Sequence, residues 1–438
     1  MAFVAASAML AGCALRASQT PTSSGALVPA LQGARGAATI AKIEHVVVVV
    51  QENRSFDDLF QGYPGANTVS SGLNSKGQTI PLAPIPLEAP YEIDHYVQDF
   101  LAACDGTPSG QSCKMDAFDK EATDGKSIPP NPQYGYVPHN ETKLYFDIAR
   151  QYVLGDAMFT SHVDASFVSH QYIIAAQGGG AVNIPFSKWG CGGGRNVPTL
   201  LSNRTLGPFE IPCFDYTTIA DELDAKGLPW HYYAVGPANV NFGWSAYQAI
   251  RHIYRGSEWK TNVTSPPAGF LSDVASGKLA AVTWVTPTGA TSDHADSLGK
   301  RGPEWVASIV NAVGESPFWN STVIFVLWDE WGGWYDHVPP QYLDYDGLGF
   351  RVPLLVVSPY AKRGYVSHVQ YEHGSILKFI EDTFGLARLA ASDTRANSPL
   401  PDCLDLTQSP RPFVPFATKL KTRDFTSAPP DRGPIDEE

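Results

Sequence analysis

The sequence predicts an α/β protein with a mostly parallel β-sheet, helices on both faces and long loop insertions. Three observations predict it. Short β-branched apolar runs bounded by polar residues recur along the 438-residue chain, amphipathic helical patterns lie between them, and stretches rich in Gly, Pro and Ser interrupt the series. Strands that alternate with helices form parallel sheets covered by those helices. A single large α/β core is therefore expected.

The predicted strands share a continuous apolar character, which is typical of strands buried on both faces. They cover residues 43–50, 280–285, 323–327 and 353–357. The predicted helices share a 3.6-residue apolar period and cover residues 144–153, 217–226, 304–313 and 375–384. Residues 65–134 and 178–212 are predicted to be excursions that form the mouth of a site.

The chain is predicted to hold one main domain, residues 42–408, followed by a loosely ordered tail, residues 409–438, that is rich in Pro and charged residues. The formal net charge is −13. A nucleic-acid-binding protein carries a basic surface, so a nucleic-acid partner is not expected.

The N-terminus predicts export. Residues 1–11 are mostly apolar, and the sequence LAGC at residues 10–13 matches the lipobox of bacterial lipoprotein signals. Residues 1–13 are thus predicted to be a lipoprotein-type signal, after which an acylated Cys13 would anchor the protein in the periplasm or cell envelope without spanning the membrane. Residues 14–41 are predicted to be a flexible tether. An ordinary cleaved signal peptide is the alternative.

Cysteine spacing agrees with export, because disulfides persist in oxidising compartments. Cys104 with Cys113, and Cys191 with Cys213, would close short loops, which leaves Cys403 without a predicted partner. The cysteines lack the C-x-x-C spacing of thiolate zinc sites.

Two acidic clusters follow two of the predicted strands. Glu52 and Asn53 come after residues 43–50, and Asp329 and Glu330 come after residues 323–327. Ligands of open α/β sheets bind at the carboxyl ends of the strands. These four residues are therefore predicted to converge as oxygen ligands for one divalent cation. Ca²⁺, Mg²⁺ and Mn²⁺ suit such ligands, and Zn²⁺ stays open.

Ser166 precedes a helical stretch of small and apolar residues, 171–177. A hydroxyl at a helix start lies among free backbone N–H donors that can also hold an anion. A plain capping serine is the alternative, and on local pattern alone it would be preferred.

Taken together, the motifs resemble the bacterial phosphoesterase family that contains phospholipases C of the non-haemolytic type and metal-dependent acid phosphatases. The resemblance rests on ENRSFD at residues 52–57, KMDAF at 114–118, the Ser166 segment and WDEWGGWYDHV at 328–338. It continues through FRVP at 350–353 and YEHGS at 371–375. The resemblance implies an alkaline-phosphatase-like core and metal-dependent hydrolysis of phosphoric esters through a phosphoserine intermediate.

Carried over by position, the resemblance assigns one divalent metal ion to Glu52, Asn53, Ser166, Asp329 and Glu330, with Ser166 as nucleophile and Asn53 polarising the phosphoryl group. It also implies histidines that bind the phosphoryl group, and the best matches are His95, His231 and His294 on loops after predicted strands. His294 is expected to protonate the leaving oxygen. His337 and His373 are further candidates for which a packing role is favoured.

The substrate remains open between two classes. Many phospholipases of the family have Thr-x-Pro-Asn at the nucleophile, whereas this chain has Ser166-Phe167-Val168-Ser169, which favours a phosphomonoesterase similar to acid phosphatases. A phospholipase C is the alternative, in which Trp331, Trp334 and Tyr335 could hold a choline headgroup, although packing around the metal loop is favoured for them.

Two other protein classes are alternatives to a phosphoesterase. Sulfatases share the expected fold, but their C/S-x-P-x-R motif is missing from the sequence. A non-catalytic lipid-anchored binding protein is the distant alternative, and the retained ligand set argues against it. Arg54 is expected to be structural.

Overall fold

The computed structural model describes residues 42–107, 111–185, 190–194, 196–236, 244–295 and 301–428. The predicted signal and tether lie outside the described residues and remain predictions. None of the helices in these ranges combines the length and the apolar character that crossing a bilayer requires.

A large central sheet organises the described residues. Its strands are β1 (His45–Gln51), β2 (Val153–Phe159), β3 (Trp230–Tyr233), β4 (Val263–Thr264), β5 (Val282–Val285), β6 (Thr322–Trp328), β7 (Arg351–Val357), β8 (Tyr365–Ser367) and β9 (Tyr371–Glu372). They lie in the order β4-β3-β5-β1-β6-β7-β2-β8, and β9 also pairs with β2.

The sheet is mostly parallel, as predicted. β1 pairs in parallel with β5 and β6, whereas β7 runs antiparallel to both of its neighbours, β6 and β2. The segment from β6 to β7, residues 329–350, contains no helix, so the chain turns back at the same edge of the sheet. The predicted strand at 353–357 is therefore present as β7, but it runs antiparallel to its two neighbours and not parallel to them.

The helices are α1 (Phe56–Phe60), α2 (Val97–Cys104), α3 (Lys143–Gln151), α4 (Ser166–Ala175), α5 (Ile219–Ala225), α6 (Arg251–Arg255), α7 (Glu258–Thr261), α8 (Gly269–Ala275), α9 (Gly302–Gly314), α10 (His373–Phe384), α11 (Ala391–Arg395), α12 (Leu400–Cys403) and α13 (Thr422–Thr426). All four predicted helices are present, as α3, α5, α9 and α10. The first ends at Gln151, and Val153 already belongs to β2.

The predicted excursions carry small two-stranded ribbons instead of further strands of the main sheet. They pair Ser71–Leu73 with Thr79–Pro81, Ala83–Pro84 with Gly135–Tyr136, Tyr91–Ile93 with Thr123–Gly125, and Val197–Leu200 with Leu206–Glu210. Disulfides join Cys104 to Cys113 and Cys191 to Cys213, which confirms both predicted pairs, and Cys403 is a buried free thiol.

β1 and β6 lie buried in the middle of the sheet. The five valines of β1 are at most 1% exposed, and β6 is buried along its whole length. Full burial of one such side chain stabilises the fold by about 1.5–3 kcal/mol. The two strands pair over seven rungs, from His45 opposite Thr322 to Gln51 opposite Trp328. Their carboxyl ends are thereby held side by side.

The described part of the predicted tail is packed against the domain. The Arg411 guanidinium donates to the carbonyl of Ala361, Phe413 packs edge-on against Trp319, and Phe425 contacts Trp305. Residues 409–428 are thus attached by specific contacts, whereas a loose arrangement was predicted.

Candidate active site

The two acidic clusters meet at one edge of the sheet. Because Gln51 lies opposite Trp328, the residues that follow leave neighbouring strands together. The Asp329 amide donates to the Gln51 carbonyl at 3.0 Å, and the Arg54 amide donates to the Glu330 carbonyl at 3.0 Å. Glu52, Asn53, Asp329 and Glu330 are each at most 1% exposed. The structure therefore brings the four predicted oxygen ligands together.

The backbone turns at Asn53, directly after β1. Its φ of 57° lies in the left-handed region, which Asn tolerates better than most residues. The turn lets the Asn53 amide donate to Asp329 Oδ1 at 2.9 Å. The side chain meets two other predicted site residues, because its Oδ1 accepts from Ser166 Oγ at 3.3 Å and its Nδ2 lies 2.9 Å from His95 Nε2.

Ser166 is the first residue of α4 and is fully buried. The preceding residue, Ala165, is extended, with φ −66° and ψ 177°, so the hydroxyl lies at the helix start, where backbone N–H groups have no partner within the helix itself. The helix begins at Ser166 itself, earlier than the predicted stretch at 171–177. The Ser166 hydroxyl, the first backbone N–H groups of α4 and the acidic cluster therefore lie close together.

His170 also lies at the site, although the sequence pattern did not predict it there. Its Nε2 lies 3.1 Å from Glu52 Oε1 and 3.8 Å from Asp329 Oδ2, and all three side chains are buried. One side-chain atom from each lies within 4.8 Å of those of the other two. The signal was present in the spacing, since residues four apart on a helix share a face and Ser166 is one turn before His170.

His95 lies beside Asn53 and Glu330. Its Nδ1 is 2.7 Å from the Ile93 carbonyl, which can only accept, so Nδ1 carries a proton. In the neutral ring Nε2 then accepts from Asn53 Nδ2, and it is also 3.3 Å from Glu330 Oε1. The structure thus places His95 beside two predicted metal ligands, Glu330 and Asn53. Asn53 is also the residue that accepts a hydrogen bond from Ser166.

The residues present fit a divalent cation. Three buried carboxylates and one amide oxygen surround the region, and Asp329 Oδ2 accepts no hydrogen bond from any described residue. Buried carboxylates are costly unless a positive group offsets them. The nearby Arg54 faces elsewhere, toward Asp58, the Asp293 carbonyl and the Leu87 carbonyl. A bound cation would supply the missing charge.

The remaining predicted histidines lie in different settings. His294 follows β5 on a loop, as expected, and its Nε2 is 3.4 Å from Glu92 Oε1. His231 is not on a loop after a strand: it lies inside β3, and its Nε2 is 2.8 Å from Thr264 Oγ1. Among the described residues, no hydrogen bond or ion pair joins His231 to Glu52 or Ser166. The aromatic residues Trp230, Tyr232 and Tyr233 on both sides of His231 favour a strand here.

His373 begins α10 and lies close behind the acidic cluster. Its Nε2 donates to the Trp328 carbonyl at 3.2 Å, and burial lowers its pKa to about 4. The ring is therefore neutral near pH 7, and its donor is committed to the backbone. These contacts suit the packing role favoured for it.

Arg54 and the aromatic residues of the 328–338 motif are structural. Arg54 is buried and its guanidinium lies over the ring of Trp334. Trp331 and Trp334 are fully buried, and Tyr335 stacks on Tyr134. None of the three aromatic rings is placed to receive a headgroup at the surface, so the packing role that the sequence favoured is the better description.

A second acidic group combines the ends of the 52–57 and 328–338 motifs. Asp57, Asp336 and His337 have ligand atoms within 4.8 Å of one another. Here a buried arginine balances the charge, since Arg351 Nε is 3.0 Å from Asp336 Oδ1 and its Nη2 is 3.3 Å from Asp57 Oδ1. The group is an internal ion-pair network that ties α1 to β7.

Comparison with known proteins gives a family match over most of the described chain. The model of the Phosphoesterase family matches residues 43–387. The matched range contains every predicted site residue of the acidic clusters, α4 and the histidine loops.

Individual relatives are distant but cover most of the chain. The chain is 25% identical to a non-hemolytic phospholipase C of Pseudomonas aeruginosa, over 88% of this chain and 60% of that protein. It is 27% identical to phospholipase C B of Mycobacterium tuberculosis, over 79% and 74%. A solved structure of a Vibrio parahaemolyticus protein in the alkaline phosphatase superfamily is similar at a TM-score of 0.37 and 10% identity, covering 82% and 71%. The chain spans about 60% of the length of the Pseudomonas relative.

Proposed function

This chain belongs to the Phosphoesterase family, and from that premise we propose that it is a metal-dependent hydrolase of phosphoric esters with Ser166 as nucleophile. One observation carries the proposal. The Ser166 hydroxyl, at the N-terminus of α4, lies 3.3 Å from the side chain of Asn53, which itself bonds to Asp329 through its backbone. Nucleophile and ligand cluster therefore form one site.

The proposed metal ligands are Glu52, Asn53, Ser166, Asp329 and Glu330. A divalent cation bound there would stabilise the negative charge of the phosphoryl group and favour the serine alkoxide. These oxygen donors suit Ca²⁺, Mg²⁺ or Mn²⁺, and they also allow Zn²⁺.

The chain's own residues account for the remaining steps. Ser166 Oγ forms a bond to phosphorus while the bond to the leaving oxygen breaks in line. Asn53 Nδ2 and the first N–H groups of α4 orient the phosphoryl oxygens. Water then displaces Ser166 Oγ, which regenerates the free hydroxyl. The product released in this step is inorganic phosphate from a phosphomonoester, or the phosphorylated headgroup from a phospholipid. Two displacements of this kind predict ping-pong kinetics.

The proton for the leaving oxygen is assigned to His294, and phosphoryl binding to His95. His95 is supported by its direct contact with Asn53. His294 is supported by its position on the loop after β5, at the edge where the strands' carboxyl ends meet. His231 was predicted as a third phosphoryl-binding residue, and its place inside β3 gives that prediction no support, so we leave it out of the proposal.

Phospholipids are the first candidate substrates. The named relatives are phospholipases C from bacteria and from Arabidopsis thaliana. A phosphomonoester is the second candidate, because Ser166-Phe167-Val168-Ser169 departs from the Thr-x-Pro-Asn pattern of many phospholipases in the family. The buried Trp331 and Trp334 do not supply a choline cage in either case.

A substrate panel tests the proposal and separates the two candidates. Protein loaded in turn with Zn²⁺, Mn²⁺, Mg²⁺ and Ca²⁺ would be assayed on phosphatidylcholine, p-nitrophenylphosphorylcholine and p-nitrophenyl phosphate. Cleavage of the first two indicates a phospholipase C, and cleavage of the third alone indicates a phosphomonoesterase. No turnover with any metal on any of the three would contradict the proposed class and favour the binding-protein alternative.

We also propose that the protein works outside the cytoplasm. The two disulfides support an oxidising compartment. Attachment of Cys13 to lipid rests on the lipobox alone. Mass spectrometry of the mature N-terminus, which detects acylation of Cys13 directly, separates an anchored lipoprotein from an ordinary cleaved export signal.

A further inference from the structure

We propose that His170 is a ligand of the same cation and that its imidazole nitrogen makes the site prefer Zn²⁺ or another borderline transition ion to Mg²⁺ and Ca²⁺. The proposal rests on the proposed function, since it concerns the ion of that site. The oxygen donors alone predict an ion that prefers oxygen. One nitrogen donor in the set changes that expectation.

His170 Nε2 lies among the carboxylate oxygens that are proposed to bind the cation. The atom lies 3.1 Å and 3.3 Å from the two carboxylate oxygens of Glu52, and 3.8 Å from Asp329 Oδ2. Asp329 Oδ2 is buried and accepts no hydrogen bond from the described residues, so a second and independent atom also faces this point. Two carboxylates and one imidazole nitrogen converge there.

The helix holds His170 in place. All ten residues of α4 are buried, from Ser166 to Ala175, so the imidazole has little rotational freedom. The spacing of four residues sets the hydroxyl and the imidazole on the same face of one helix. A single rigid element would thus present both the nucleophile and a metal ligand.

The alternative role for His170 is to position Glu52 by hydrogen bonding. The two roles differ in selectivity. Loss of a group that only orients a ligand lowers affinity about 10–100-fold, and it does so for every metal that uses the ligand. Loss of an imidazole ligand lowers affinity for Zn²⁺ far more than for Mg²⁺, which binds imidazole poorly.

The test compares full-length, metal-stripped wild-type protein with His170→Gln and with the control variant His373→Gln. His373 is an equally buried histidine behind the same cluster, but its Nε2 is bonded to the Trp328 carbonyl. Zn²⁺ and Mg²⁺ affinities would be measured by competition with a chelating indicator. We expect His170→Gln to lower Zn²⁺ affinity by more than about 100-fold and Mg²⁺ affinity by less than about 10-fold. His373→Gln should leave both the Zn²⁺ affinity and the Mg²⁺ affinity at their wild-type values.

A spectroscopic measurement gives the second readout. Cu²⁺ bound at the wild-type site should show electron paramagnetic resonance coupling to a directly bound imidazole nitrogen, and His170→Gln should lose that coupling. Should His170→Gln not fold, wild type and His95→Gln are compared, and coupling that persists in His95→Gln supports His170. Coupling that vanishes in His95→Gln would assign the nitrogen to His95 and overturn the proposal.

The outcomes separate the two proposals. Equal losses of Zn²⁺ and Mg²⁺ affinity in His170→Gln, or Cu²⁺ without nitrogen coupling, would refute the ligand role of His170 and leave the phosphoesterase proposal intact. Absence of stoichiometric binding of any divalent ion to wild type would instead refute the metal-dependent function itself.

Discussion

Replacement of Asn53 tests the site and its backbone together. Asn53 has a φ of 57°, bonds to Ser166 through Oδ1 and lies 2.9 Å from His95 through Nδ2. Both Asn53→Ala and Asn53→Gly remove the amide side chain. Only Ala meets a penalty for the left-handed backbone, because Gly adopts it without a clash between Cβ and the carbonyl oxygen. The pair of variants therefore separates side-chain chemistry from backbone strain.

The expected magnitudes differ between the two readouts. Loss of one preorganised donor to a developing oxyanion lowers kcat by about 10²–10³-fold, so both variants should fall by at least that factor in kcat/KM. In stability, Ala should be less stable than Gly by about 1–2 kcal/mol. Both should be less stable than wild type by about 1–3 kcal/mol for the buried partners left unpaired.

The assays are steady-state hydrolysis of the best substrate from the panel and urea unfolding of metal-stripped protein, which keeps metal binding out of the stability measurement. Two results would refute the reasoning. If Asn53→Gly kept wild-type kcat/KM, Asn53 would have no part in the chemistry. If Ala were as stable as Gly, the turn after β1 would not be left-handed.

Three further predictions follow from other parts of the molecule. Ser166→Ala should lower turnover by more than about 10³-fold while the protein still folds, and wild-type activity in this variant would remove the nucleophile assignment. Asp329→Asn should reduce the metal bound per chain, measured by elemental analysis after dialysis, because it removes the negative charge from a buried ligand; an unchanged stoichiometry would place the ion elsewhere. Burial, aided by Asp393, raises the pKa of Glu381 to about 8, so the folded state holds this proton more tightly than the unfolded state and stability falls as pH rises from about 4.5 to about 8. Glu381→Gln should therefore gain more than about 1 kcal/mol over wild type between pH 4 and pH 9 in urea unfolding, and a gain that does not depend on pH would contradict this account.

The apolar runs predicted the centre of the sheet well, because a strand buried on both faces leaves a continuous signal. β1 and β6 were predicted for that reason, and the residues that follow them were correctly expected to meet. β2 was missed because Gly155 and Asp156 interrupt its apolar run. The direction of β7 depends on a connection without a helix, which local pattern alone does not reveal.

Side-chain positions were harder to predict than strands. His170 could have been found from its spacing of one helical turn to Ser166, but the helix was expected to begin later. The predicted loop position of His231 was wrong because the strand around it is aromatic and lacks the aliphatic run that marks the other strands. The attachment of residues 409–428 depends on a few aromatic side chains such as Phe413, whose partners lie far away in sequence.

The register between β1 and β6 has a consequence for the timing of assembly. Asn53 and Asp329, which share a hydrogen bond, are separated by 276 positions along the chain. A nascent polypeptide that ends before residue 322 carries Glu52, Asn53 and Ser166 but lacks Asp329 and Glu330, and it has no β6 to align with β1. Capture of the proposed ion would therefore wait until nearly the whole domain has been synthesised and, if the protein is exported unfolded, until it folds beyond the membrane. The ion would then be drawn from the supply of that compartment and not from the cytoplasmic pool.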